Sequence, residues 1–387
     1  MMKLFVFLLC LLVIADALPA VRNKKSGGHR MKLTRKKLTY QRAKEYVQKV
    51  PKTSKFFQEQ TPLIDDGLAT VWQMGMPENT YLFRVETGSR GVFVAGDNYP
   101  GGSEEPYFTS KSKTAKKLSG TLSGTSGNNN WSGEKWQDNF DDAFNNITQN
   151  FALLSSIDGG FITNPHLTFT VLLGFGWLPE DVTAKPGPDS PIVVNALTFD
   201  KKEYAIVFMR SEEDDKEEED FWEMDYDGAR ICDKDNSFDL LPRSDKRFAP
   251  MAFVVDGFKF ENYEKKGPFT GRLDTSVSHI YVPSGIYSAI QKKVDIKYES
   301  EIGLSMIACN AGDTLGDLIF TLNGQQYNIP SSEYIVDIDS PDGLCVFFVA
   351  QTVFDVDFVF GLTFLQTYCS YYSLQDNQVG LGIPAIN

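Results

Sequence analysis

The sequence predicts a mainly β protein of two related lobes that meet at a pair of acidic side chains. A motif pair recurs at a nearly constant interval. Glu86-Thr87-Gly88-Ser89 precedes the apolar run Val171-Leu172-Leu173-Gly174, and Asp274-Thr275-Ser276 precedes Phe358-Val359-Phe360-Gly361. Acidic residue and closing glycine lie 88 positions apart in the first copy and 87 in the second, and the copies are offset by 188 and 187. Short runs rich in β-branched and aromatic residues, such as Tyr81–Val85, Ile319–Leu322 and Val346–Val349, alternate with Gly, Pro and Asn as strands do. Helical stretches are few and short. Lys36–Val50, Asp138–Gln149 and Ser284–Val294 are the ones expected.

From the N-terminus, Lys3 is followed by an 11-residue apolar core, Leu4 to Ile14, and by Ala15-Asp16-Ala17, a small-residue cleavage pattern. This reads as a secretory signal peptide over residues 1–17. The run is too short to cross a bilayer, which takes about 20 residues, and no later run is long and apolar enough, so no membrane span is expected. The reading implies a secreted or extracellular protein, or one in a lysosome-like compartment of the secretory pathway.

Charge is segregated. Arg22 to Gln60 holds 13 Lys and Arg against 2 acids, whereas Thr61 to the end holds 24 basic against 48 acidic residues. A basic segment ahead of an acidic body points to an intramolecular partner. Residues 18–60 are expected to lie across an acidic cleft at neutral pH and to loosen as carboxylates protonate. The acidic body would repel phosphate and no nucleic-acid motif is present, so no nucleic-acid partner is expected.

Lys116–Gly133 is rich in Ser, Gly, Asn and Thr and reads as a mobile loop or hairpin. Glu212–Asp227 is dominated by acids and reads as a solvated loop. Asn130-Trp131-Ser132 and Asn146-Ile147-Thr148 match the glycosylation acceptor pattern, making Asn130 and Asn146 candidate sites. Beyond the leader, four cysteines remain, Cys232, Cys309, Cys345 and Cys369; an oxidising compartment would pair them, in one of three ways. Beyond the basic N-terminal region only His166 and His279 remain, so neither a metal nor another cofactor is expected. Ser119–Gly127 lacks the Gly-Lys-Ser/Thr ending of a phosphate loop, and no Gly-x-Ser-x-Gly elbow exists for a serine nucleophile.

From about Asp66 to Asn387 the chain resembles the pepsin-like aspartic peptidase family. The matches run in order: Val71-Trp72-Gln73-Met74-Gly75-Met76-Pro77, Glu86-Thr87-Gly88-Ser89, Leu172-Leu173-Gly174, Asp274-Thr275-Ser276, Cys309-Asn310, Phe320-Thr321-Leu322-Asn323-Gly324, Tyr334-Ile335, and the ending Val379-Gly380-Leu381-Gly382. The resemblance implies an all-β, bilobal pepsin-like acid-protease fold, with an N-lobe of about 66–205 and a C-lobe of about 206–387. It also implies a flap hairpin, a peptide or protein substrate or ligand in the cleft, and a basic prosegment ending between Phe57 and Gly67. Cys309–Cys345 is the family's pairing in the second lobe, which leaves Cys232 with Cys369.

The family's chemistry needs two carboxylates that share one proton, because like charges in contact cannot both ionise. Glu86 and Asp274 occupy those positions, with Thr87, Gly88, Ser89, Thr275 and Ser276 expected to support them. Several residues depart from the pattern. Glu86 adds one C–C bond, about 1.5 Å, and Ser276 adds a side chain where the backbone must approach closely. Val277 removes a hydroxyl beside Asp274, while Ser89 keeps its counterpart on the first lobe. The flap stretch Leu118–Gly133 lacks the family's tyrosine, Phe93 replaces its tryptophan partner, and Leu362 replaces an acid. A carboxylate paired with Arg84 or Arg90 is the alternative reading of Glu86. The expectation is a secreted peptidase homologue with a degenerate dyad, impaired in catalysis but able to hold peptide. An active acid endopeptidase and a structural protein with a vestigial cleft are the alternatives.

Overall fold

Each half of the chain builds the same three-stranded unit around its apolar run. The computed structural model describes residues 30–48, 67–126, 129–141, 146–159, 169–176, 203–209, 219–225, 232, 238–244, 251–374 and 376–384. In the first half, strand Asn79–Glu86 runs parallel to Val171–Phe175, with Glu86 opposite Gly174, and Arg90–Val94 runs antiparallel along the other side. In the second, Tyr263–Leu273 runs parallel to Phe358–Phe360, and Ile280–Val282 runs antiparallel along the other side. A strand paired at both edges and covered on both faces must be apolar throughout. Val171–Phe175 and Phe358–Phe360 are accordingly buried at every position. The motif spacing in the sequence is therefore the length of chain that loops out before the central strand returns. Gly361 ends its strand where a Cβ would overlap the carbonyl oxygens of Val277 and His279, so no side chain fits there.

The first unit belongs to a 13-stranded sheet and the second to a seven-stranded one, with a separate four-stranded sheet holding Lys297–Glu299 through Leu344–Phe347. The chain's last strands, Cys369–Ser373 and Gln378–Gly382, return to the first-half sheet beside Glu203–Phe208. That return ties the two lobes into one core. Asp138–Gln149 is not helical as expected. It lies in the antiparallel strands Asn129–Asp141 and Asn146–Gly159, where Asp138, Phe140, Ile147 and Phe151 are buried. Tertiary pairing overrides the local helical composition. The stretch Lys116–Gly133 is the hairpin alternative, strand Lys116–Ser126 pairing with Asn129–Asp141. Helix formation over Ser284–Gln291 agrees with the sequence.

Part of the basic N-terminal region, residues 30–48, is built into the fold. Strand Arg30–Lys36 inserts between Glu219–Asp225 and Ala69–Met74. Its register puts Arg30 opposite Asp225, Lys32 opposite Glu223, Arg35 opposite Asp220 and Lys36 opposite Glu219. The acidic stretch expected as a solvated loop thus supplies a strand. Opposing charges across a ladder are favourable, and the alternate residues Met31, Leu33, Trp222 and Met224 are buried in the core. Helix Tyr40–Gln48 follows, shorter than expected because residues up to Lys36 are committed to the strand. Its Ala43 packs with Ile302, Leu304, Met306, Ile338 and Phe348, and Lys44 pairs with Glu301 at 2.7 Å.

The signal peptide and the expected prosegment boundary lie outside the described residues. Both disulfides join the pairs expected, Cys309 with Cys345 and Cys232 with Cys369, at Cα separations of 4.9 and 5.3 Å. Closing the loop between Cys309 and Cys345, a sequence separation of 36, contributes about 4 kcal/mol in the chain-entropy model. No helix among the described residues is long and apolar enough to cross a membrane.

Leu33 is fully buried, so Leu33→Ala should destabilise the protein by about 2–5 kcal/mol. Urea denaturation of the protein reads this directly. An unchanged midpoint would mean that residues 30–36 are not part of the folding unit.

Candidate functional site

The two acidic motifs meet where the halves of the chain adjoin. Thr87 N–H donates to Thr275 Oγ1 and Thr275 N–H donates to Thr87 Oγ1, both at 3.1 Å. Thr275 Oγ1 also donates to the carbonyl of Val85 at 3.0 Å. These reciprocal bonds fix each turn against the other. Asp274 lies against the opposite turn so closely that a Cβ on Gly88 would overlap its carboxylate. Glu86, Asp274, Thr87, Ser89, Thr275 and Ser276 are all buried.

Strand geometry decides what sits beside each carboxylate. Residues two apart share a face of a strand, so Arg84 lies beside Glu86 and Arg272 beside Asp274. Arg84 Nε is 3.0 Å from Glu86 Oε1, and Arg272 Nη2 is 2.9 Å from Asp274 Oδ2. Both arginines are buried, at 7% and 5% exposure. Each guanidinium also rests over an aromatic ring, Arg84 5.4 Å from the centroid of Phe169 and Arg272 4.8 Å from that of Phe354. Arg84 further donates from Nη2 to the carbonyl of Ser276 at 2.7 Å, crossing between the two motifs. Arg272 also approaches the half-exposed Asp355 at 3.6 Å.

Of the two arginines named as alternatives for Glu86, Arg84 is in contact with it, and the side chain of Arg90 lies outside the described residues. Arg272 was not singled out from the sequence, although the signal was present: Arg84-Val85-Glu86-Thr87 and Arg272-Leu273-Asp274-Thr275 repeat the same spacing. Such a pair is strongly context-dependent. Two desolvated charges roughly break even against apolar replacements, whereas removing one partner strands the other.

The supporting residues divide. Ser276 N–H donates to Asp274 Oδ1 at 2.9 Å. The hydroxyls of Ser89 and Ser276 are buried without a hydrogen-bond partner among the described residues. Ser89 therefore keeps its side chain but gives Glu86 no hydrogen bond, and Ser276 fills space rather than bonding. Leu362 is fully buried, its N–H donating to the carbonyl of Val277. The flap hairpin lacks a tyrosine, yet its second strand supplies Trp131. That ring lies 5.3 Å from Phe93 and close against Gly91 and Gly124. The sequence reading passed over it because it sits inside the Asn130-Trp131-Ser132 acceptor pattern.

A third buried guanidinium comes from the N-terminal strand. Arg35 donates from Nη2 to Ser278 Oγ at 3.1 Å. The adjacent His279 is fully buried, and burial together with the charge of Arg35 pushes its pKa down to about 3. Among the described residues the one grouping of possible metal ligands is Cys309, Asp337 and Cys345, whose sulfurs are already joined to each other.

A family model for eukaryotic aspartyl proteases matches residues 68–383. Aspartic protease 1 of Caenorhabditis elegans is 24% identical over 98% of each chain. Gastricsin of Homo sapiens is 31% identical over 29% of each. Among solved structures, the aspartic proteinase from Irpex lacteus superposes with a TM-score of 0.66 at 18% identity, covering 93% of this chain and 98% of that one, which establishes likeness of fold.

Two stability measurements test this electrostatic layout. Asp274→Leu should cost about 3–5 kcal/mol by leaving Arg272 buried without its partner. Arg272→Met with Asp274→Leu should recover much of that loss in urea denaturation, and strictly additive losses would refute the pairing. In the unfolded chain His279 takes up a proton near pH 6.5, whereas in the folded protein it stays neutral down to about 3. The unfolded state binds more protons in that window, so stability falls as pH drops from about 6.5 towards 3. His279→Phe should flatten this part of the stability profile, and an unchanged slope would exclude His279 as its source.

Proposed function

The chain belongs to the eukaryotic aspartyl protease family, and from that premise we propose a secreted pepsin-like homologue that holds extended peptide in its cleft but is impaired in cutting it. The observation supporting this reading is the arginine beside each carboxylate. In a working dyad two carboxylates carry one negative charge between them because they share a proton. The ionised group takes a proton from the attacking water, and the protonated group donates to the peptide carbonyl. Here two guanidinium charges already balance two carboxylate charges. The shared proton is no longer needed for neutrality, and without it no general acid faces the scissile carbonyl.

Glu86 and Asp274 remain the residues through which any residual chemistry would run. The peptidase-type domain spans 66–387, preceded by the signal peptide at 1–17 and the prosegment-like region at 18–60, which makes the protein's own N-terminal region its first partner. An active acid endopeptidase is the second reading, favoured by the reciprocal Thr87–Thr275 bonds and the close fit of Gly88 on Asp274. That scaffold still aligns the two turns as catalysis would require.

Acid digestion of denatured globin, with and without a statine-type inhibitor, separates the two readings. The precursor should show no inhibitor-sensitive cleavage after acidification. Inhibitor-sensitive cleavage abolished by Asp274→Ala would overturn impairment. Combining Arg84→Val and Arg272→Val with Glu86→Asp and Ser276→Gly should raise cleavage by about 100-fold or more, the usual contribution of positioned acid–base groups. No gain would shift the cause away from the dyad. Inhibitor binding without turnover by the unaltered protein supports the peptide-holding cleft, and loss of that binding would leave a vestigial one.

A further inference from the structure

Two sequence patterns play no part in the dyad, and both fall on one arm of the fold. Strands Lys116–Ser126, Asn129–Asp141 and Asn146–Gly159 form a long antiparallel arm. Asn130 lies at one end, opposite Asp158, and Asn146 lies at the other, opposite Asp141. In each tripeptide the strand alternates in the same phase. Asn130 is exposed while Trp131 is 4% exposed and packed on Phe93. Asn146 and Thr148 are exposed while Ile147 is 5% exposed. Because residues two apart share a face, asparagine and hydroxyl lie on the face away from the core, where Ser132 is half-buried and shares a hydrogen bond with Ser156 at 2.8 Å, and the central apolar residue points into the core. The opposite phase would bury the asparagine and exclude a glycan.

We propose that Asn130 and Asn146 are both N-glycosylated, so that the two ends of this arm carry oligosaccharide. The reaction is a transfer from a lipid-pyrophosphate-linked oligosaccharide by the oligosaccharyl transferase of the secretory pathway. The asparagine side-chain nitrogen bonds to the anomeric carbon, loses one proton, and the lipid pyrophosphate leaves. The folded arm accommodates both products without displacing a core residue. Asn130 is one strand in from the open edge Lys116–Ser126, opposite Thr125. That strand is the edge of the sheet among the described residues; an edge invites pairing with another chain, and a bulky hydrophilic group beside it hinders that approach.

The proposal rests on passage through the secretory pathway, so the test keeps the two apart. Residues 18–387 are expressed in a eukaryotic secretory host behind an unrelated, proven leader, and the natural chain is expressed alongside. Secreted protein is treated with an amidase that releases N-glycans and converts each modified asparagine to aspartate, which peptide mass mapping reads. The expected result is conversion at both positions, with Asn130→Gln and Asn146→Gln each removing one glycan's mass. Unmodified asparagine at either position in protein secreted from the substituted leader would overturn the assignment there. Failure of the natural chain alone to reach the medium would count against the leader reading and leave the acceptor result standing.

Discussion

Two buried carboxylates, each tied to an arginine two residues earlier, set the terms for the centre of this molecule. A carboxylate taken out of water must be protonated, hydrogen-bonded or paired with a cation. A peptidase of this fold uses the first solution on one side and hydrogen bonds on the other, and keeps a mobile proton as a result. In this chain an arginine nitrogen lies within 3.0 Å of each carboxylate, and Asp274 also accepts the N–H of Ser276. The aromatic rings of Phe169 and Phe354 cover the guanidiniums from the far side, so cation and anion are desolvated together. The arrangement obeys the same pseudo-twofold relation as the threonines and the apolar runs. It belongs to the duplicated unit rather than to one altered lobe.

The rest of the architecture follows from keeping these two turns in register. The central strands Val171–Phe175 and Phe358–Phe360 are paired on both edges and buried on both faces, so they have little freedom to slide. Thr87 and Thr275 then lock one turn on the other. Arg84 adds a contact that a hydrophobic residue at its position would not make, reaching the carbonyl of Ser276 in the second motif. One side chain thereby balances a charge and braces the join.

Electrostatics also explains the N-terminal region. The acidic strand Glu219–Asp225 and the basic strand Arg30–Lys36 would each repel themselves in isolation, and the register sets the one along the other, with Lys32 opposite Glu223. Their inward residues, Leu33 opposite Trp222 and Met31 opposite Met224, add the apolar burial that charge alone does not provide. Reading the acidic stretch as a loop considered its self-repulsion but not a partner nearly two hundred residues away. Residues 138–141 and 146–149, expected as helix, likewise take their period of two from the strands they pair with.

The duplicated motif, the two-lobed β architecture and the place of Glu86 and Asp274 in the two repeats could be read from the chain alone. A repeat of the same residue types at the same interval carries its own geometry. Cysteine pairing followed from resemblance rather than from spacing. The surroundings of Glu86 and Asp274 were decided only in three dimensions. The side-chain period of a strand puts Arg84 and Arg272 on the carboxylate face, but only packing shows that solvent is absent there and that Phe169 and Phe354 close over the cations. Likewise, Ser89 has the right hydroxyl in the right place along the chain, yet its oxygen has no hydrogen-bond partner among the described residues. A one-dimensional pattern records which groups are present, whereas desolvation and hydrogen-bond direction depend on what the distant parts of the chain bring alongside.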